Sequence, residues 1–287
     1  MKKFEVANHE PSILPEGEWE LVFSDEFNQH SLDKTKWDFR TSMMGRHCEH
    51  WVKEEGIAFD GDNIIFKLIE KDGVYCTSQI QTGYNFMDGT AQTFNVSSNE
   101  NKKAQNDAVQ YFSWPIGEIK EPKFMHKYGY YECRCKMAEY GGWWSAFWLQ
   151  SPIIGSTLNP EFSGIEVDIM ENGFESRDII QHNNHWNGYG SQLKSIGAEY
   201  ALAQTADGYH RFGLEWTPNY YRYYVNGKMT WEVKSPYPIS QTEQFVLLSA
   251  EAIGYRSSDW NAWDEVKKAA ENNDVFVVDY VRVFDRK

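Results

Sequence analysis

Residues 164–173, Gly-Ile-Glu-Val-Asp-Ile-Met-Glu-Asn-Gly, set three acids, Glu166, Asp168 and Glu171, among Ile165, Val167, Ile169 and Met170. That spacing does not suit a helix. At 100° per residue, Asp168 and Glu171 would lie about 200° and 140° around the axis from Glu166. A strand places Glu166 and Asp168 on one face and Ile165, Val167 and Ile169 on the other. Strict alternation then turns Glu171 away from its fellows. One extra residue, a β-bulge at Ile169-Met170, brings it back. The stretch predicts a bulged strand with three acids in a row.

The rest of the chain supplies strands for it to pair with. Trp19–Asn28 reads as a first strand and turn. Short strand patterns follow at Asn63–Glu70, Gly129–Met137, Trp144–Gln150, Ile165–Glu171, Ile179–Trp186, Tyr209–Thr217, Tyr220–Val225, Phe245–Ala250 and Val275–Phe284. Gly, Asn and Asp separate them, and Asn226-Gly227 is a strong hairpin signal. Only Asp264–Asn272 looks helical, and no internal repeat is visible. Many short strands with almost no helix predict an all-β chain, a β-sandwich or jelly roll of antiparallel sheets. The expected organisation is an aperiodic N-terminal extension over 1–15, wrapping the surface, and a single domain over 16–287. The Asn-, Gln- and Ser-rich segment 85–110 reads as a long loop bordering a binding site.

A length of 287 residues is enough for a real core. The net charge of −14, from 28 basic and 42 acidic residues, argues against nucleic acid, an anionic membrane surface or a polysulfated ligand as partner. No apolar run approaches 18 residues, so no membrane-spanning helix is expected. Met1-Lys2-Lys3 resembles the start of a signal peptide, but no apolar stretch follows it. The expectation is a cytoplasmic protein if the chain is complete, or a secreted or periplasmic one lacking its leader. Cys133 and Cys135 fall on one face of a predicted strand, an awkward geometry for a mutual disulfide, so with Cys48 and Cys76 the cysteines read as buried thiols.

Three acids on one strand face repel one another, and a solvated charged face is the ordinary alternative. A calcium site is a further use of clustered acids, but a strand offers ligands in a row rather than around an ion. Paired carboxylates about 5–5.5 Å apart are what retaining glycoside hydrolysis uses, one attacking the anomeric carbon and one serving as acid and then base. By strand rise Glu166 and Glu171 lie roughly 13 Å apart at Cα, so their side chains must lean together across a bent sheet. Asp168 between them would hold a shared proton, and neighbouring charge would keep Glu171 protonated.

The run Glu166-Val167-Asp168-Ile169-Met170-Glu171 resembles the E-x-D-x-x-E signature of glycoside hydrolase family 16, in the bulged form of laminarinases and red-algal galactan hydrolases. Leu21–Phe27 with Leu32-Asp33 and Trp37, Tyr128–Met137, Trp144-Ser145-Ala146-Phe147-Trp148, Phe212–Thr217, Val225-Asn226-Gly227 and Asp279–Phe284 resemble other parts of the family pattern. Ser145 departs from it, standing where the family carries Pro. The likeness covers roughly residues 18–285.

The resemblance implies a concanavalin A-like jelly roll with a concave substrate cleft. It implies Glu166 as nucleophile, Asp168 as assisting residue and Glu171 as acid/base. Trp144 and Trp148 would floor the cleft, and Asn183 and His185 would make polar sugar contacts, with Glu118 and Lys120 a weaker cleft-facing pair. A structural calcium ion would sit at Asp279; no cofactor is required. The implied activity is endo-hydrolysis of a neutral polysaccharide by a monomer, β-1,3- or mixed-linkage β-1,3-1,4-glucan first and agarose or another β-galactan second. A non-catalytic lectin on the same fold is the alternative of another class, and such modules usually lose one of the acids.

Overall fold

Two stacked sheets arise because most strands carry apolar side chains at every second position, leaving one face to bury. The computed structural model describes residues 1–41, 43, 50–88, 119–173, 177–189, 192–252 and 261–287. With strands numbered in chain order, β1 (Lys2–Phe4) and β2 (Ser12–Leu14) form a separate hairpin. The acid-bearing sheet runs β14 (Lys194–Ala201), β13 (Ile179–Trp186), β12 (Glu166–Asn172), β11 (Trp143–Gln150), β18 (Phe245–Ala252), β9 (Val74–Gln81) and β4 (Asp38–Phe39). Strands β5 (Trp51–Val52) and β8 (Ile69–Lys71) also join β9, β5 through a short parallel pairing. The back sheet runs β17 (Lys228–Lys234), β16 (Tyr220–Val225), β15 (Tyr209–Trp216), β10 (Gly129–Lys136), β19 (Val275–Arg286), β7 (Ile64–Lys67) and β6 (Ile57–Phe59), with β3 (Trp19–Asp25) also on β19. All other pairings are antiparallel among the described residues, as expected of a β-jelly-roll sandwich.

Between the sheets, Phe147, Leu149, Val167 and Ile180 of one meet Tyr131, Phe212, Leu214 and Val281 of the other in one core. Cys133 and Cys135 are buried free thiols, and burial pushes the Cys133 thiol well up; Cys76 is buried as well, and Cys48 lies outside the described residues. Apart from a four-residue turn, α1 (Pro160–Ser163), the one α-helix among the described residues is α2 (Asn261–Glu271), a little earlier than its apolar pattern predicts. None of these helices is long and apolar enough to cross a membrane.

Two expectations need correction. The predicted strand Asn63–Glu70 breaks at Leu68, because β7 hydrogen-bonds to β19 in one sheet and β8 to β9 in the other. Trp19–Asn28 does not hold the first strand: the aperiodic first fifteen residues already carry the β1–β2 hairpin ahead of it. Their hairpin is fastened to the outer face of the back sheet by Arg282, whose Nη1 donates to the Glu10 carbonyl at 2.8 Å and to Ser12 Oγ at 3.0 Å. The Ile13 N–H also donates to Glu132 Oε2 at 3.1 Å. Burial raises the Glu132 carboxyl, while Tyr280, Ser12 and Ile13 donate to it and oppose the rise.

The bulge is present where the acids require it. Asp168 pairs with Asn183 and Glu171 with Gln181, so Ile169 and Met170 together face the single residue His182. On the other side Phe147 pairs with Met170 and Trp148 with Asp168, skipping Ile169. Both bulge side chains enter the core, which returns Glu171 to the face of Asp168. His182, fully buried, places Nδ1 at 2.7 Å from the Ile169 carbonyl, and because a carbonyl only accepts, Nδ1 carries the proton. Glycines bracket the strand in left-handed backbone. A Cβ on Gly164 (φ +86°) would lie 2.2 Å from Ser151 Cβ, and one on Gly173 (φ +124°) only 1.7 Å from the Trp143 carbonyl oxygen.

Burial lowers His182 to about 4, although its bond to Ile169 works the other way. The unfolded chain therefore takes up this proton first. The stability is complete above about pH 6.5 and lost as pH falls through about 4, on the order of 3 kcal/mol in all. His182→Leu, which orphans the Ile169 carbonyl, is expected to cost roughly 1–3 kcal/mol at pH 7. Denaturant melts at pH 7 and pH 4.5 should show a shallower loss with acid than in wild type. Parallel losses in the two proteins would refute the assignment.

Candidate active site

Alternation along β12 and its neighbours gathers the polar side chains on one face. β12 contributes Glu166, Asp168 and Glu171, β13 contributes Asn183 and His185, and β11 contributes Trp144, Trp148 and Gln150. Asp168 is 3 % exposed and Glu171 7 %, while Glu166 is more open.

Each acid has its own partners. Glu171 accepts from Trp144 Nε1 on Oε1 at 2.8 Å and from Asn183 Nδ2 on Oε2 at 2.6 Å. Indole and amide N–H groups only donate, and each Glu171 oxygen keeps a second lone-pair site beyond these bonds. Glu166 Oε2 accepts from the Tyr189 hydroxyl and from Gln150 Nε2 at 3.3 Å. Asp168 Oδ2 lies 3.4 Å from His185 Nε2, and His185 Nδ1 meets Ser195 Oγ on β14 at 2.6 Å.

The charges explain how three acids coexist. Burial, then the charges of Glu171 and Glu166, push the Asp168 carboxyl well up, while His185 pulls it down. Burial would lower His185, but the hydrogen bond and charge of Asp168, with the charges of Glu166 and Glu171, raise it to about 9. At neutral pH the imidazole is a cation set against the acid row. One oxygen of each of Glu166 and Asp168 and a nitrogen of His185 lie within 4.8 Å of one another, a spacing within reach of a metal ion.

Some expected residues are placed differently. Trp148 shares the face of Trp144 but is 6 % exposed; its Nε1 donates to Ser249 Oγ at 3.1 Å and the Arg40 guanidinium lies 5.5 Å from its ring centre. It is packed beneath the acid-bearing face and does not offer an open ring. Ser145 is buried on the opposite face of β11 and does not enter the cleft. Asp279 does not suit calcium, because its carboxylate faces a cation already, Arg134, which also pairs with Asp207. The Lys120 ammonium lies 5.2 Å from the Tyr84 ring centre, and Glu118 lies outside the described residues, as does 89–110 of the expected long loop. The residues missed from sequence are Gln150, Tyr189 and Arg40. Gln150 was within reach, since it is the next position after 144, 146 and 148 on one strand face. Tyr189 and Arg40 reach the site from turns and distant strands, with no local pattern to mark them.

An NMR titration of the His185 ring is expected to show a midpoint near 9 in wild type. In Asp168→Asn it should fall well below that, because the nearest charge is gone. His185 lies above its ordinary value, so the stability it adds is full below about pH 6.5 and lost as pH rises through about 9. An unmoved midpoint in the variant would mean that Asp168 does not hold this proton.

The model of the glycosyl hydrolases family 16 matches residues 75–282. Glucan endo-1,3-beta-glucosidase A1 of Niallia circulans is 24% identical over 92% of this chain, which spans only 37% of that protein's length. A beta-glucanase of Rhodothermus marinus is 24% identical over 93% of this chain and 85% of its own. The catalytic domain of an endo-1,3-beta-glucanase from Thermotoga petrophila RKU-1 superposes with a TM-score of 0.65 at 19% identity, covering 94% of this chain and 99% of that one. With the matched region running from β9 into the last strand, through every strand that lines the acids, the chain belongs to glycosyl hydrolases family 16.

Proposed function

We propose that this protein is a retaining endo-β-glycosidase acting on a neutral glucan, β-1,3- or mixed-linkage β-1,3-1,4-linked. The observation that carries the reading is the bulge, which sets Glu166, Asp168 and Glu171 on one face beside a cationic imidazole. Glu166 attacks the anomeric carbon while Glu171 protonates the leaving oxygen. Water then releases the sugar from Glu166, with Glu171 taking the water's proton. Asp168 and His185 hold one proton between them and temper the field of the two outer acids. Trp144 presents a ring beside Glu171, suited to the apolar face of a sugar, and Asn183 and His185 border the same cleft. The names of the relatives favour glucan over galactan, and the intact acid trio favours an enzyme over a lectin.

Reducing-end release should be measured on laminarin, lichenan and agarose. Wild type is expected to cut laminarin or lichenan into oligosaccharides, and Glu166→Gln to lose at least about a thousandfold in kcat. Cleavage of agarose alone would move the substrate to a galactan. NMR of the first products should show the β-anomer; an initial α-anomer means inversion and sinks the mechanism. Undiminished binding without turnover on any β-glycan would favour the lectin.

A further inference from the structure

A line of donors reaches Glu166 that the three-acid chemistry does not by itself require. Arg40 is 1 % exposed and held by Asp88, to whose Oδ1 its Nε and Nη2 donate at 3.0 and 2.7 Å. The same Nη2 donates to Gln150 Oε1 at 2.8 Å. Gln150 Nε2 donates to the Tyr189 oxygen, and the Tyr189 hydroxyl donates to Glu166 Oε2.

The direction of this chain is forced. A guanidinium has no acceptor, so the Gln150 amide must turn its oxygen to Arg40 and its NH₂ to Tyr189. The phenol oxygen then receives that N–H, and its own proton is left for Glu166. Burial and the charge of Glu166 push the Tyr189 hydroxyl well up, so the proton stays on the phenol. Bonds to an ionised acceptor are the strong kind, and aligned bonds polarise one another.

We propose that Tyr189 is a positioning residue that holds Oε2 of Glu166 at the end of a one-way Arg40–Gln150–Tyr189 chain, leaves Oε1 to attack, and eases the departure of Glu166 from the glycosyl-enzyme. This rests on the reading of Glu166 as nucleophile. In the first step the Oε1–carbon bond forms, the glycosidic carbon–oxygen bond breaks, and Glu171 gives its proton to the leaving oxygen. The carboxylate loses charge, and the donors slightly oppose that. In the second step water bonds to the carbon and gives a proton to Glu171. The Oε1–carbon bond breaks with its electron pair returning to Glu166. Charge reappears where Tyr189 and Gln150 already point, so the chain favours this step.

The Tyr189 ring packs against the apolar cluster of Met43, Trp51, Phe86, Met87 and Ile154, which Phe at this position would preserve. The test is stopped-flow kinetics with an activated aryl β-glycoside of the oligosaccharide whose polymer the wild type cleaves. Tyr189→Phe removes the last donor. Gln150→Glu offers Tyr189 a carboxylate and turns its hydroxyl away with the ring still in place. Both variants are expected to slow the second step about tenfold. The covalent intermediate should then accumulate, giving a burst of one aryl alcohol per site. kcat and KM should fall together, leaving kcat/KM within about threefold of wild type. Circular-dichroism spectra of both variants should keep the wild-type shape, showing that the fold is intact. Wild-type kinetics in both variants, or a lower kcat with unchanged KM and no burst, would overturn the proposal. If Glu166→Gln is inert in that case, only this inference fails; if Glu166→Gln remains active, the nucleophile reading fails.

Discussion

The hydrogen bond from His182 to the Ile169 carbonyl closes the gap that the bulge opens in the β12–β13 ladder. Two residues facing one leave a backbone group without its ladder partner, inside a core where an unpaired carbonyl is costly. An imidazole kept neutral by burial can fill that vacancy and remain in the apolar interior. The bulge is then a stable feature, and the face that Glu171 occupies follows from it. Without the extra residue the same sequence would carry two acids toward the cleft and bury the third in the core.

Electrostatic balance on the cleft face comes from unlike devices. His185 supplies one positive charge next to the most deeply buried acid, Asp168. Uncharged donors surround the other two: an indole and an amide at Glu171, a phenol and an amide at Glu166. Such groups satisfy the carboxyl oxygens by direction and add no charge of their own to that face. Arg40, the nearby buried cation, is separated from Glu166 by two neutral side chains and tied to Asp88. A guanidinium bonded directly to Glu166 would have set a full positive charge against that carboxyl group.

Alternation and spacing made the strand order of chemistry legible: Glu166, Asp168 and Glu171, their bulge, Trp144, and the Asn183 and His185 pair all lie on faces that a period of two assigns. What was hidden depends on contacts between distant segments. Strand periodicity places Trp148 toward the cleft, yet cannot show that Arg40, 108 positions earlier in the chain, covers it. The position of Asp279 in the last strand looks suited to a metal until Arg134 arrives from β10. The first fifteen residues have no periodicity to read, because their order comes from Arg282 and Glu132 in the sheet beneath. His182 stood in plain view between Gln181 and Asn183, but its task exists only once the bulge does.

Gly164 and Gly173 carry no chemistry, yet they stand where the Ser151 side chain and the Trp143 backbone leave no room for even a methyl group. The acids are the opposite case: each is a side chain on an ordinary strand residue, exchangeable for its amide without disturbing the main chain. Reactivity and architecture are thus written in separate positions of one ten-residue segment. A designer who wishes to change the charge of this face while keeping the sheet would therefore begin at the carboxylates, whereas a substitution at the glycines would remove the frame itself.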